Sequence, residues 1–77
     1  MTDTFMAFYF RLNLSFEEFK PYYQGIAETV QVRERGGKRL QINARHFRQF
    51  LAPDGIHGEF KLVVDRKGHF QSITRMD

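Results

Sequence analysis

The fourteen residues Met6-Ala7-Phe8-Tyr9-Phe10-Arg11-Leu12-Asn13-Leu14-Ser15-Phe16-Glu17-Glu18-Phe19 hold one sharp change of period. Up to Leu14 the pattern is of period two: Met6, Phe8, Phe10, Leu12 and Leu14 alternate with Ala7, Tyr9, Arg11 and Asn13, as in a β-strand. Both faces of this strand begin apolar, so it is expected to lie centrally in a sheet or to be covered on two sides. From Ser15 the spacing becomes helical. Ser15-Phe16-Glu17-Glu18 is a capping box, in which the Ser15 hydroxyl accepts from the Glu18 amide and the Glu18 carboxylate reaches back to the Ser15 amide. Leu14 before the cap and Phe19 at the fourth helical position fit a hydrophobic staple. Phe16, Phe19, Tyr23 and Ile26 continue the helix face, and Gly25 is placed to end it in a left-handed cap. Pro21 cannot donate to the Glu17 carbonyl, so a kink or a tightened first turn is expected.

Beyond this strand–helix joint the punctuation is that of hairpins. Ile26 to Arg33 reads as a second strand with Val30 and Val32 inward, and Arg35-Gly36-Gly37-Lys38 supplies a tight turn into a third strand holding Leu40 and Ile42. Asn43 is suited to cap a short helix whose apolar face is Ala44, Phe47, Phe50 and Leu51, with Arg45, Arg48 and Gln49 opposite and His46 at the edge. Pro53, Asp54 and Gly55 stop it. Phe60, Leu62 and Val64 mark a fourth strand, Asp65-Arg66-Lys67-Gly68 fits a type I turn, and Phe70 to Met76 forms a fifth strand. Phe70 and Ile73 differ in parity, so this last strand is either bulged or sandwiched. The order β-α-β-β-α-β-β with two obligatory antiparallel hairpins gives an α+β fold. Its sheet is expected to be mostly antiparallel and five-stranded, or curled into a partly closed barrel.

Composition narrows the class. With 77 residues the chain is expected to be one domain, residues 1–77, with a small core that no disulfide or cysteine-based metal site can staple, since it has no cysteine. Nine Phe and three Tyr compensate with large apolar side chains. The longest apolar run, Phe5 to Phe10, is far short of the roughly 18 residues of a membrane helix. No basic residue precedes Arg11 and no small-residue cleavage site follows the apolar run, so a cytoplasmic protein without a secretory signal is expected.

The formal charge of +3 is unevenly laid out. Arg33, Arg35, Lys38, Arg39, Arg45 and Arg48, opposed only by Glu34, make residues 33–48 a +5 segment, while the six bases and eight acids elsewhere sum to −2.

Four strings taken together carry a resemblance: Ser15-Phe16-Glu17-Glu18-Phe19, Tyr22-Tyr23-Gln24-Gly25, Ala44-Arg45-His46-Phe47 and Asp54-Gly55-Ile56-His57-Gly58. From about Phe8 onward the chain resembles a family of short bacterial proteins catalogued as domain of unknown function 2835. The resemblance implies a compact bacterial domain with no assigned activity, and it supplies no catalytic or binding residue to carry over.

The residues themselves do not point to an enzyme. Thiol chemistry is excluded, and Ser15 is explained by its cap. His46, His57 and His69 have no ligand spacing, so neither metal nor cofactor is expected. Asp54-Gly55-Ile56-His57-Gly58 is the most enzyme-like string, yet turn chemistry accounts for it: Asp-Gly starts a turn, and Gly58 permits a bulge or a close backbone approach. Arg35-Gly36-Gly37-Lys38 lacks the phosphate-loop pattern.

The basic segment is the best candidate. Arg33, Arg35, Lys38 and Arg39 around one hairpin, with Arg45 and Arg48 on the following helix, form the electrostatic footprint of a nucleic-acid backbone binder. The bland alternative is that these charges keep an apolar domain soluble. A third reading is a homodimer or protein-partner interface built on surplus aromatics, chiefly Phe5, Tyr9 and Tyr22.

Overall fold

The computed structural model describes residues 4–77. Strand β1 (Phe5–Leu14) runs into helix α1 (Phe16–Tyr23). Strands β2 (Thr29–Arg33) and β3 (Arg39–Asn43) form a hairpin, followed by a 3-10 helix (Ala44–Phe50). Strands β4 (Ile56–Asp65) and β5 (Phe70–Arg75) close the chain. The element order is the expected one, with the second helix wound as 3-10.

The strands form two antiparallel sheets, a three-stranded one in the order β1-β4-β5 and the β2-β3 pair, instead of one five-stranded sheet. Neither do they close a barrel. Each sheet has a single buried face, and the two faces share one core: Phe10, Leu12, Phe60, Leu62, Val64 and Ile73 from the larger sheet, and Val30, Val32, Leu40 and Ile42 from the hairpin, with Phe19 and Phe47. Facing two layers buries more apolar surface than extending one flat layer would. Along β1 the hairpin is held edgewise by the Arg35 amide donating to the Tyr9 carbonyl (2.8 Å). On the far side β3 stands apart from β4 and β5, leaving a cavity of about 200 Å3 lined by Ile42, Leu62, Val64 and Phe70 among others. That open seam keeps the strands from closing.

Strand β1 is an edge of its sheet, not its centre, and among the described residues nothing covers its second face. The outward residues Phe5, Ala7 and Tyr9 lie opposite Asp65, Val63 and Lys61 of β4, and Phe5 is 53% exposed. Farther along this face the pairs become polar: Arg11 meets Glu59 at 3.4 Å, and the Asn13 amide oxygen lies 3.2 Å from His57 Nδ1. The parity conflict in β5 is resolved by a bulge. Val63 pairs with Ser72 while Val64 pairs with Phe70, so Gln71 is the extra residue and Phe70 shares the inner side with Ile73.

The capping box forms as read, with Ser15 Oγ accepting from the Glu18 amide (3.1 Å) and the Glu18 carboxylate from the Ser15 amide (2.9 Å). Helix α1 ends two residues after Pro21 in a Schellman motif. Gly25 takes φ +79°, its amide donates to the Tyr22 carbonyl (3.2 Å), and the Ile26 amide donates to the Pro21 carbonyl (2.9 Å). This cap uses Ile26, so β2 begins at Thr29 and the expected strand start at Ile26 is corrected; the Ile26 side chain is 78% exposed.

The 3-10 winding brings residues three apart into line, so Ala44, Phe47 and Phe50 stack toward the core while Arg45 and Arg48 form a second row. Asn43 caps it by accepting from the Arg45 amide (3.0 Å).

Several turns are pinned by carboxylates whose pKa values are thereby lowered. Glu18 is held down first by the Ser15 amide, Glu34 by the Lys38 amide, and Asp65 by the His69 amide. His46, stacked on Phe70 at 3.7 Å between ring centres, is lowered by burial and then by the Arg45 charge. For these groups the folded state binds protons less readily than the unfolded chain, so their stabilisation is complete above the unfolded value and fades as pH falls through the lowered folded one. Thermal melts from pH 7 to pH 3 are therefore expected to fall gently below about pH 6.5, where an unfolded histidine starts to charge, and more steeply below about pH 4. A melting temperature constant down to pH 3 would contradict this. His46→Gln is expected to remove the first, gentle decline alone.

Candidate nucleic-acid interface

The outward side of the β2-β3 ribbon repeats one theme in register. Arg33 faces Arg39, Gln31 faces Gln41, and Thr29 faces Asn43, and all six are exposed. Directly opposed residues on a ribbon stand about 5 Å apart at Cβ, so the two guanidinium groups share one patch of solvent. Neither has an ion-pair partner among the described residues. The single acid of the segment is turned away from them: Glu34 Oε1 accepts from the Lys38 amide (2.9 Å), and the Glu34 carbonyl accepts from the Gly37 amide (2.8 Å). The carboxylate fixes the turn and does not neutralise the arginines.

The other four cations of the segment diverge. Arg35 leans over β1 and hydrogen-bonds Glu59, the carboxylate that also meets Arg11. Lys38 is exposed, with its ammonium 5.3 Å from the centre of the Phe8 ring. Arg48 reaches α1, where its guanidinium lies 5.4 Å from the Tyr23 ring and donates to the Tyr23 carbonyl (3.3 Å). Arg45 is exposed beyond the ribbon's end and has no ion-pair partner among the described residues. Thus Arg35 and Arg48 tie elements together, and Arg33 with Arg39 forms the concentrated charge. The paired glutamines have a sequence signal of their own, since centring the hairpin on Gly36 aligns Gln31 with Gln41.

The aromatic residues considered for an interface do not form one patch. Phe5 and Tyr9 lie on the outward side of β1, whereas Tyr22 packs on α1 against Phe19 at 5.7 Å between ring centres. The histidines are equally dispersed. His57 lies between Asn13 and the Asp54 carbonyl (3.0 Å to Nε2), His46 lies on Phe70, and His69 Nδ1 is 3.2 Å from Asp65 Oδ2. Among the described residues no three His, Asp or Glu side chains gather as a metal site, and no helix is long and apolar enough to cross a membrane.

The fold and its surface define a small α+β domain that presents a cationic, amide-rich β-ribbon. The chain belongs to the family described as "Protein of unknown function (DUF2835)", whose model matches residues 6–76. No curated protein and no solved structure matches it.

Proposed function

We propose that this domain is a non-catalytic nucleic-acid-binding module that lays the outward side of the β2-β3 ribbon against the phosphate backbone. The observation that carries this reading is the directly opposed, unneutralised Arg33–Arg39 pair. Like charges facing one another directly across a ribbon destabilise it, and a phosphate lying between them removes that repulsion. Arginine is suited to the task because its planar fork donates two parallel hydrogen bonds to phosphate oxygens. A two-stranded ribbon also fits the major groove of about 12 Å, where the Gln31 and Gln41 amides offer both donors and acceptors to base edges. Association through Phe5, Tyr9 and Tyr22 is less well supported, because Tyr22 is on a different surface from the other two.

Fluorescence anisotropy with a short labelled duplex at low salt tests the reading. The wild-type chain is expected to bind with an affinity that falls steeply with salt. Arg33→Ala with Arg39→Ala is expected to weaken it about tenfold or more. The salt slope is expected to shrink by about 1.8, that is about 0.9 per phosphate contact removed. Both side chains are exposed and their loss relieves repulsion, so the fold is retained. Absence of binding at tens of micromolar protein, or equal binding by the double variant, overturns the proposal.

A further inference from the structure

On the side of the three-stranded sheet away from the β2-β3 ribbon, the β1–β4 register brings an exposed aromatic beside cations that lie sixty residues later. Phe5 pairs with Asp65, and the turn that follows carries Arg66 and Lys67. Together with Asp65, His69 and Gln71 they line an open cleft of about 700 Å3. We infer that this cleft binds an unpaired nucleotide, its base stacked on the Phe5 ring and its phosphate held by Arg66 and Lys67.

The chemistry of the lining supports that class of ligand. Phe5 is 53% exposed, and no aromatic stacking partner or overlying cation occupies its ring among the described residues. An uncovered aromatic face beside positive charge is the arrangement with which proteins hold single-stranded nucleic acid, since every base has a stacking face and every nucleotide a phosphate. Arg66 and Lys67 have no ion-pair partner among the described residues. Among the described residues the one acid in the cleft is turned inward: Asp65 Oδ1 accepts from the Lys67 and His69 amides (2.8 Å each), and Oδ2 faces His69 Nδ1. Asp65 therefore stiffens the turn that presents the two cations, its carboxylate engaged by the turn's own amides. The volume lies within the roughly 300–1,000 Å3 of small-ligand sites and accommodates one nucleotide. The inference does not depend on the ribbon, which lies on the other side of the sheet.

The required nucleotide is either free or part of a single strand, and the experiment separates the two. In amide NMR titrations, AMP is expected to shift the signals of residues 65–71 and Phe5, and adenosine without phosphate is expected to do so more weakly. An oligo(dA) strand that binds at least tenfold tighter than AMP marks single strands as the source, whereas equal affinities mark the free nucleotide. Phe5→Ala is expected to weaken oligo(dA) about tenfold, to the level at which an abasic strand binds the wild type. Phe5 lies at an exposed strand end, and retention of the remaining amide spectrum verifies the fold. The inference is overturned if neither AMP nor oligo(dA) shifts residues 65–71, or if Phe5→Ala binds as the wild type does. Arg33→Ala with Arg39→Ala must leave the AMP shifts intact. Cleft shifts without duplex binding would remove the ribbon reading alone, and duplex binding without cleft shifts would remove this one alone.

Discussion

Replacing Gly55 by alanine is expected to cost about 4 kcal/mol of stability, enough to leave much of a domain of this size unfolded. Gly55 is buried at φ +115°, and a Cβ built there would lie 2.0 Å from the Leu14 carbonyl oxygen and 2.7 Å from the Ser15 carbonyl carbon. Both contacts are with backbone, so no side-chain rotation relieves them. The Ala52 and Gly55 amides and carbonyls also exchange hydrogen bonds at 2.9 Å, which fixes the turn through Pro53 and Asp54. Gly55 therefore seats the start of β4 against the corner where β1 becomes α1. Gly37 is the matching control, since it has φ +96° with nothing within 4 Å of its Cβ position. Gly37→Ala is expected to lose only the left-handed backbone penalty, about 1–2 kcal/mol. Urea unfolding followed by circular dichroism compares them, and equal losses would refute the steric account.

The same glycine shows which parts of the molecule were readable in advance. Turn chemistry accounts for Asp54-Gly55-Ile56-His57-Gly58, but the close backbone approach expected at Gly58 occurs instead at Gly55, whereas a Cβ at Gly58 would meet the Arg75 and Asp77 side chains. His57 is held beside Asn13, across the strand pair. The period change at Ser15, the capping box, the Gly25 cap and both hairpins were legible because each depends on residues within a few positions of one another. Sheet partition was not. Periodicity tells which residues of β1 face inward, but whether β1 is central depends on which strand reaches its far edge, and there, among the described residues, the contact is the Arg35 amide donating to Tyr9.

Charge shows the same division. The +5 segment was apparent as a run of letters, yet strand parity sends Arg33 and Arg39 to one side together, while Arg35 is drawn to Glu59 and Arg48 to Tyr23. The cleft at Phe5 could not be read at all, because its aromatic and its cations meet only through the pairing of the first strand with the fourth.

Phe60→Ala is the second substitution with a large expected effect, about 3–5 kcal/mol. Phe60 is fully buried on the central strand of the larger sheet, and three other rings pack on it. Phe10 is stacked at 5.7 Å, Phe47 meets it edge-on at 5.8 Å, and Phe50 lies 5.0 Å away at 65°. Phe47 and Phe50 come from the 3-10 helix and Phe10 from the neighbouring strand β1, so the ring is the point where that helix seats on the larger sheet. Truncation leaves a cavity that these rigid neighbours fill poorly, because aromatic rings do not flex into a gap as methionine would. A 77-residue domain is expected to have about 4–12 kcal/mol of total stability, so most of it is at stake. Phe70→Ala, on a ring already 38% exposed, is expected to lose far less even though it also removes the stack with His46. Denaturant midpoints rank the two variants, and a loss below about 1.5 kcal/mol for Phe60→Ala would mean that the aromatic cluster is not what holds the 3-10 helix on the larger sheet.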